Sequence, residues 1–263
     1  MKLHWLALVV VLALAVPFGA RWVQQASTAP GPATGYVGGR VLASQPAADA
    51  GALFADDFAT PPLDEAGWVR TKRNDFEQAI EEVADGRLRL AAATIGTDDA
   101  TVKFHGVRTK LPVVDLAAPV EVAFDLDWSK QANGCYMTAG VFLCPTESEN
   151  PREEPDYLKL EYIGVPPGKN ARCEVTVKSA GREAYLLTEG WPGEQRTGRE
   201  IGLQKVRLRI DGAKLTVTEN DKTILETDQA NLGTDPLYLY LQHSSHSNYR
   251  LREVFFDNVR VAR

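Results

Sequence analysis

From Leu53 to Arg263 the chain is written in short runs whose apolar residues fall on every second position. The clearest run is Val120, Val122, Phe124, Leu126 and Trp128, interleaved with Glu121, Ala123, Asp125 and Asp127. Successive side chains of a strand point to opposite faces, so a period of two buries one face and leaves the other in water. Burying one large apolar side chain contributes on the order of 1.5–3 kcal/mol, which makes the apolar row the core row. By the same rule Leu158, Leu160 and Tyr162 point inward, and Tyr157, Lys159 and Glu161 outward. Val206, Leu208 and Ile210 point inward, with Arg207 and Arg209 outward. In the closing stretch Leu237, Leu239 and Leu241 oppose Tyr238, Tyr240 and Gln242.

Asp85-Gly86, Asp211-Gly212 and Asn220-Asp221 stand between such runs and mark tight hairpin turns. A dozen or more strands with turns at short spacing predict an all-β sandwich or barrel. One stretch, Asp75 to Val83, has a weak helical period and reads either as a helix or as a loop entering a strand.

The chain has 263 residues and a formal net charge of −6, with no basic block, which argues against a nucleic-acid partner. Residues 1–20 pair a short basic start with an apolar run, the plan of an export signal or a signal anchor. Residues 21–52 are rich in Pro, Gly, Ala, Ser and Thr and read as a flexible tether. Together they predict an exported protein, free or tethered to the membrane through residues 1–20. Three cysteines leave at least one unpaired. Cys135 and Cys144 bracket one extended run and lie too far apart to bond; Cys135 with Cys173 is the one pair to entertain, and three buried thiols is the other reading.

Phe54-Ala55-Asp56-Asp57-Phe58, then Trp68, then Asp85-Gly86-Arg87-Leu88-Arg89-Leu90, and the closing Phe256-Asp257-Asn258-Val259-Arg260-Val261, resemble the concanavalin A-like lectin/glucanase superfamily. That resemblance implies a jelly-roll sandwich of two antiparallel sheets over residues 53–263, whose first and last strands pair. Leu241-Gln242-His243 followed by Phe256-Asp257-Asn258-Val259-Arg260 looks nearest to the bacterial 3-keto-disaccharide hydrolase domains. In laminarinase-type relatives a structural Ca2+ is held by the opening acidic strand, a glycine carbonyl of the first hairpin and an aspartate of the closing strand. Asp57, Gly86 and Asp257 match those places, and calcium takes such oxygen ligands at about 2.3–2.6 Å.

The Glu-x-Asp-x-x-Glu strand of a laminarinase-type hydrolase is not present. Glu121, Asp125 and Asp127 instead line one outward face, with Asp125 and Asp127 about 6.6 Å apart along the strand. Glycoside cleavage commonly uses two carboxyl groups about 5–9.5 Å apart, so Asp125, Asp127, Glu161 and His243 are the candidate catalytic set. Tyr238, Tyr240 and Gln242, with Lys159, Arg207 and Arg209 on neighbouring strands, are the candidate sugar-binding set, since sugar rings stack on aromatic faces and hydrogen-bond to polar groups. His105, His243 and His246 also read as polar turn residues, because two histidines at i, i+3 with no third ligand nearby are a poor zinc pattern. Two functions follow: an extracytoplasmic carbohydrate-binding module, or a glycoside-cleaving enzyme of the 3-keto-disaccharide type. They differ in whether the four candidate catalytic side chains converge in one pocket.

Overall fold

The structure, a computed structural model, describes residues 51–71, 78–93, 103–128, 137–164, 172–188, 202–245 and 252–263. The proposed export segment and most of the tether, together with Cys135 and His246, lie outside the described residues. Among the described residues fifteen strands follow in chain order. The first seven are β1 (Ala52–Asp56), β2 (Trp68–Arg70), β3 (Gln78–Ala84), β4 (Arg87–Ala93), β5 (Lys103–Thr109), β6 (Val120–Asp127) and β7 (Met137–Cys144). Then come β8 (Tyr157–Gly164), β9 (Arg172–Ser179), β10 (Arg182–Thr188), β11 (Leu203–Asp211) and β12 (Lys214–Glu219). The last three are β13 (Lys222–Thr227), β14 (Tyr238–Ser245) and β15 (Arg252–Ala262).

They form two antiparallel sheets, the predicted jelly-roll sandwich. An eight-stranded sheet runs β13-β12-β11-β6-β15-β4-β3, with β1 also on β15; a seven-stranded sheet runs β10-β9-β8-β7-β14-β5-β2. The opening and closing strands pair as expected, Phe54 opposite Val261 and Asp56 opposite Val259. Every inward row named from the sequence lies in one core: Val122 and Leu126, Leu158 and Tyr162, Leu208 and Ile210, Leu239 and Leu241.

Two local features depart from simple alternation. Asp257 faces Asp125 and Arg260 faces Ala123, so β15 carries one extra residue, and Asn258 takes a left-handed φ of 50°. This bulge resets the parity, and Val254 and Phe256 before it face the same core as Val259 and Val261 after it. Of the stretch Asp75–Val83, the described part from Gln78 onward is strand β3 and not helix. Asp85 and Gly86, at φ 54° and 70°, close a tight turn that pairs Gln78 with Ala93 and Val83 with Leu88.

Candidate functional site

The outer faces of the two sheets differ. On β11 burial alternates strictly, so Lys205, Arg207 and Arg209 are exposed. On β8 every residue is buried, including the outward Tyr157, Lys159 and Glu161. Along β8 the outer face of the seven-stranded sheet is therefore a covered floor, while the edge strand β10 stays exposed, and the expected wet face of β8 is overturned. Segment 145–156 lies over part of it. Ser148 N–H donates to Tyr240 Oη at 2.8 Å, and Tyr240 O–H donates to the Thr146 carbonyl at 2.9 Å. Tyr240 faces away from Leu239 as predicted but is fully buried, in a small apolar cluster with Phe142, Cys144 and Tyr157. Burial pushes its phenol well above its usual range. Arg108 pairs with Glu147 of the same segment while its guanidinium sits 5.3 Å from the half-buried Tyr238 ring.

Asn150 caps the short 3-10 turn Pro151–Glu153, accepting from Arg152 N–H at 3.2 Å. The cap and the proline at the turn's first position fix where Arg152 leaves the segment. Its guanidinium stands 5.1 Å over the Phe142 ring and pairs with Glu161. Glu161 and Glu174 are register partners on β8 and β9. Lys159 Nζ stands 2.6 Å from Glu174 Oε1 and 3.5 Å from Glu161 Oε2, and Thr176 donates to the same Glu174 oxygen at 3.2 Å. Burial depresses the Lys159 ammonium, opposed by Glu174, and burial brings Arg152 down to about 10.

Gln242 lies on the same face, with Gly140 of β7 between it and Glu161. Its amide donates to Thr71 Oγ1 at 3.1 Å, and its register partners on both sides are glycines, Gly106 and Gly140. A Cβ at Gly106 would come 2.0 Å from the Leu241 carbonyl, and one at Gly140 2.0 Å from that of Leu160. Here the strands approach more closely than any side chain allows.

The candidate sets divide accordingly. Lys159, Tyr238, Tyr240 and Gln242 share the covered face; Arg207 and Arg209 stand on the opposite side of the sandwich, and Arg207 makes an exposed pair with Asp221 at 3.6 Å. Asp125 and Asp127 also lie on that opposite side. Asp127 accepts from Arg87 at 2.7 Å, and Asp125 accepts from the Asn258 amide at 2.9 Å. Glu161 is on the covered floor and His243 is inside the sandwich, so the four candidate catalytic residues do not converge.

His105 and His243 are not turn residues. Both are fully buried on strands, on the inward face. His105 Nε2 lies 2.9 Å from His243 Nδ1, and His105 Nδ1 lies 2.6 Å from Glu81 Oε1 on β3 of the other sheet. Burial, with a smaller contribution from His105, holds the His243 imidazole well below its usual value.

At the far corner of the eight-stranded sheet β1 ends and β4 begins along one edge of β15. This gathers Asp57, Gly86 and Asp257 around the bulge. Burial raises the Asp257 carboxyl, and the negative charges of Asp125 and Asp57 add to the rise. Both expected ligands also accept local backbone N–H groups, Asp57 from Ala59 at 3.1 Å and Asp257 from Asn258 at 2.7 Å. Among the described residues no three His, Cys, Asp or Glu side chains are gathered closely enough to hold an ion. The corner has the right donor types and a deficit of positive charge, without a closed ligand shell.

Sequence reasoning missed Glu174 and Arg152. Glu174 was legible, since Cys173, Val175 and Val177 alternate with it on β9. Arg152 gives no periodic signal, because it comes from a turn.

No family model and no curated protein matches the chain. Solved structures do. One, from a study of endo-acting O-glycanases that members of the human gut microbiota express to initiate mucin breakdown, superposes with a TM-score of 0.58 at 15% identity. It covers 80% of this chain and 98% of that one. The fold is the concanavalin A-like jelly roll. LamA from Z. galactanivorans in complex with laminaritriose and laminaritetraose gives 0.55 at 14% identity over 81% of this chain and 99% of its own. A prokaryotic β-1,3-1,4-glucanase, or lichenase, from a mouse hindgut metagenome gives 0.54 at 11%, over 80% and 98%. At such identities the likeness is one of jelly-roll architecture.

Proposed function

We propose that the protein is a carbohydrate-binding module whose binding face is the covered floor of the seven-stranded sheet. One observation carries this reading: Lys159, Glu161, Glu174 and Arg152 form a single charged network there, on the sheet face that also carries the half-buried Tyr238 ring. Fixed donors and acceptors next to an aromatic face suit a ligand with many hydroxyls and apolar C–H faces. The fold shared with sugar-bound LamA adds support by analogy. Export behind residues 1–20 and a tether over residues 21–52 belong to the same reading. So does a structural calcium ion at the corner of Asp57, Gly86 and Asp257. A glycan-array screen of the protein, with and without chelator, tests it; absence of binding to every glycan would sink it.

A second reading, cleavage of a glycoside of the 3-keto-disaccharide type, rests on the pairing of Glu161 with Glu174. Directly opposed cross-strand residues have Cβ atoms about 4.5–5.5 Å apart, close to the about 5–5.5 Å of paired carboxyls in retaining glycosidases. Both carboxylates are already engaged by cations, Glu161 by Arg152 and Glu174 by Lys159, which places binding first. Release of reducing ends from a 3-keto-disaccharide, abolished by Glu174→Gln, would reverse that order.

A further inference from the structure

At the end of the covered face, where β7 finishes and β8 begins, lies a pocket of about 200 Å³. The buried Leu143 and Leu237 back it from the core, and its accessible apolar surface comes from the part-exposed Leu232 and Pro145. Its rim is polar, with Asp156, Lys178, Asn231 and Asp235 drawn from three separate segments. Several of these groups are held in place. Asp156 Oδ1 accepts from Ala180 N–H at 2.7 Å. Lys178 Nζ reaches the Arg152 carbonyl at 3.3 Å and lies 5.3 Å from the Tyr157 ring, while Tyr157 O–H donates to Glu183 at 2.5 Å. Tyr157 and Lys178 are register partners, two residues from Lys159 and Thr176 on the same face, so the pocket adjoins the charged floor.

We propose that this pocket is a subsite for a single neutral hexopyranose ring, the terminal unit of a glycan whose next units lie over Lys159 and Glu161. The proposal rests on the carbohydrate-binding reading. The volume is below the about 300–1,000 Å³ of sites for drug-sized ligands, which suits one ring rather than a chain. Leu232 and Pro145 offer apolar surface to the C–H face of a sugar, and the rim meets its hydroxyls. The charge balance selects among sugars. Two carboxylates, Asp156 and Asp235, oppose one ammonium, Lys178, so a uronate or sulfated ring brings like charge to the rim. Pre-positioned walls reduce the ordering cost of binding a ligand this small.

The test is an NMR titration of the full chain with D-glucose, D-galactose, N-acetylglucosamine, D-glucuronate and laminaritriose. At least one neutral monosaccharide is expected to shift amide signals of residues 231–237, with D-glucuronate silent. Asp235→Ala should weaken that binding about tenfold, the loss of one hydrogen bond to a charged group, and Asn231→Trp should block it by filling the rim. Lys159→Ala should instead weaken laminaritriose and spare the monosaccharide. Laminaritriose binding that depends on Lys159, with no monosaccharide response at residues 231–237, overturns the pocket alone. Silence from every sugar overturns the carbohydrate reading and the pocket with it. Equal binding of D-glucuronate overturns the charge selection.

Discussion

His105 Nε2 stands 2.9 Å from His243 Nδ1 between the two sheets, and Glu81 closes the chain from the opposite side. All three side chains are cut off from solvent. Burial holds His243 neutral in the fold, with His105 adding to the effect. Its folded pKa therefore lies below the unfolded value of about 6.5. As pH falls below about 6.5 the unfolded chain takes up a proton that the fold refuses, so stability declines by up to about 1.4 kcal/mol per pH unit from this site. Urea midpoints at pH 8, 6.5 and 5.5 should show the decline, and His243→Gln should flatten it by one proton. An unchanged pH slope in the variant would remove His243 from the account.

The Lys159–Glu174 pair is buried on both sides, with side chains 8% and 9% exposed. Breaking such a pair from one side leaves a buried charge alone, at a cost of about 3–5 kcal/mol. Glu174→Ala and Lys159→Met should each destabilise by roughly that amount in denaturant melts, and the double variant by clearly less than the sum. Additive losses would show that the pair is not coupled.

How far the residues foretold this arrangement depends on the face. Inward rows such as Val122, Phe124 and Leu126 were legible because burial leaves a period of two. The β1–β15 pairing and the turn at Asp85-Gly86 were legible from local chemistry as well. Which outward row is covered was not. Lys159 and Arg207 sit in the same alternating pattern, and segment 145–156 packs beside Lys159 while Arg207 stays in water. His243 looked like a turn residue because the Leu241-Gln242-His243 alternation continues past the last leucine, and its partner His105 is 138 residues away in sequence, with Glu81 reaching it only through His105. Non-local pairing of that kind leaves no periodic mark.

Gly106 and Gly140 flank Gln242 at a spacing that excludes a Cβ. Alanine at either position must push a backbone carbonyl aside, so Gly106→Ala and Gly140→Ala should each cost at least the about 1–3 kcal/mol of an overpacked core. Gly202→Ala is the control, since nothing lies within 4 Å of its Cβ position. Thermal melts in which all three variants behave alike would contradict the close approach.

Calcium is expected to raise the melting temperature by acting on Asp57 and Asp257. Asp257 sits among the like charges of Asp57 and Asp125, with its carboxyl raised by burial and by those charges. A cation binding only the fold adds stability by mass action, about 2.7 kcal/mol at a hundred times its dissociation constant. Differential scanning fluorimetry in millimolar calcium against EDTA should separate the two melts, and Asp257→Asn should close the gap. Identical melts in both buffers would leave the corner without an ion.

The two sides of the sandwich make opposite predictions for sugar binding. Lys159 and Glu161 stand on the covered floor among fixed partners, while Arg207 and Arg209 stand exposed on the other sheet, behind the core. Face-to-face sheets lie about 10 Å apart, so one sugar ring cannot touch both outer faces. Lys159→Ala and Glu161→Gln should lower affinity for a bound glycan at least tenfold, each removing a hydrogen bond to a charged group. Arg207→Ala and Arg209→Ala should leave it unchanged within about twofold, as surface substitutions away from the contact do. Isothermal titration of the four variants against one glycan reads this directly, with far-ultraviolet circular dichroism to confirm that each is folded. A loss confined to the arginine variants would move the binding face to the eight-stranded sheet.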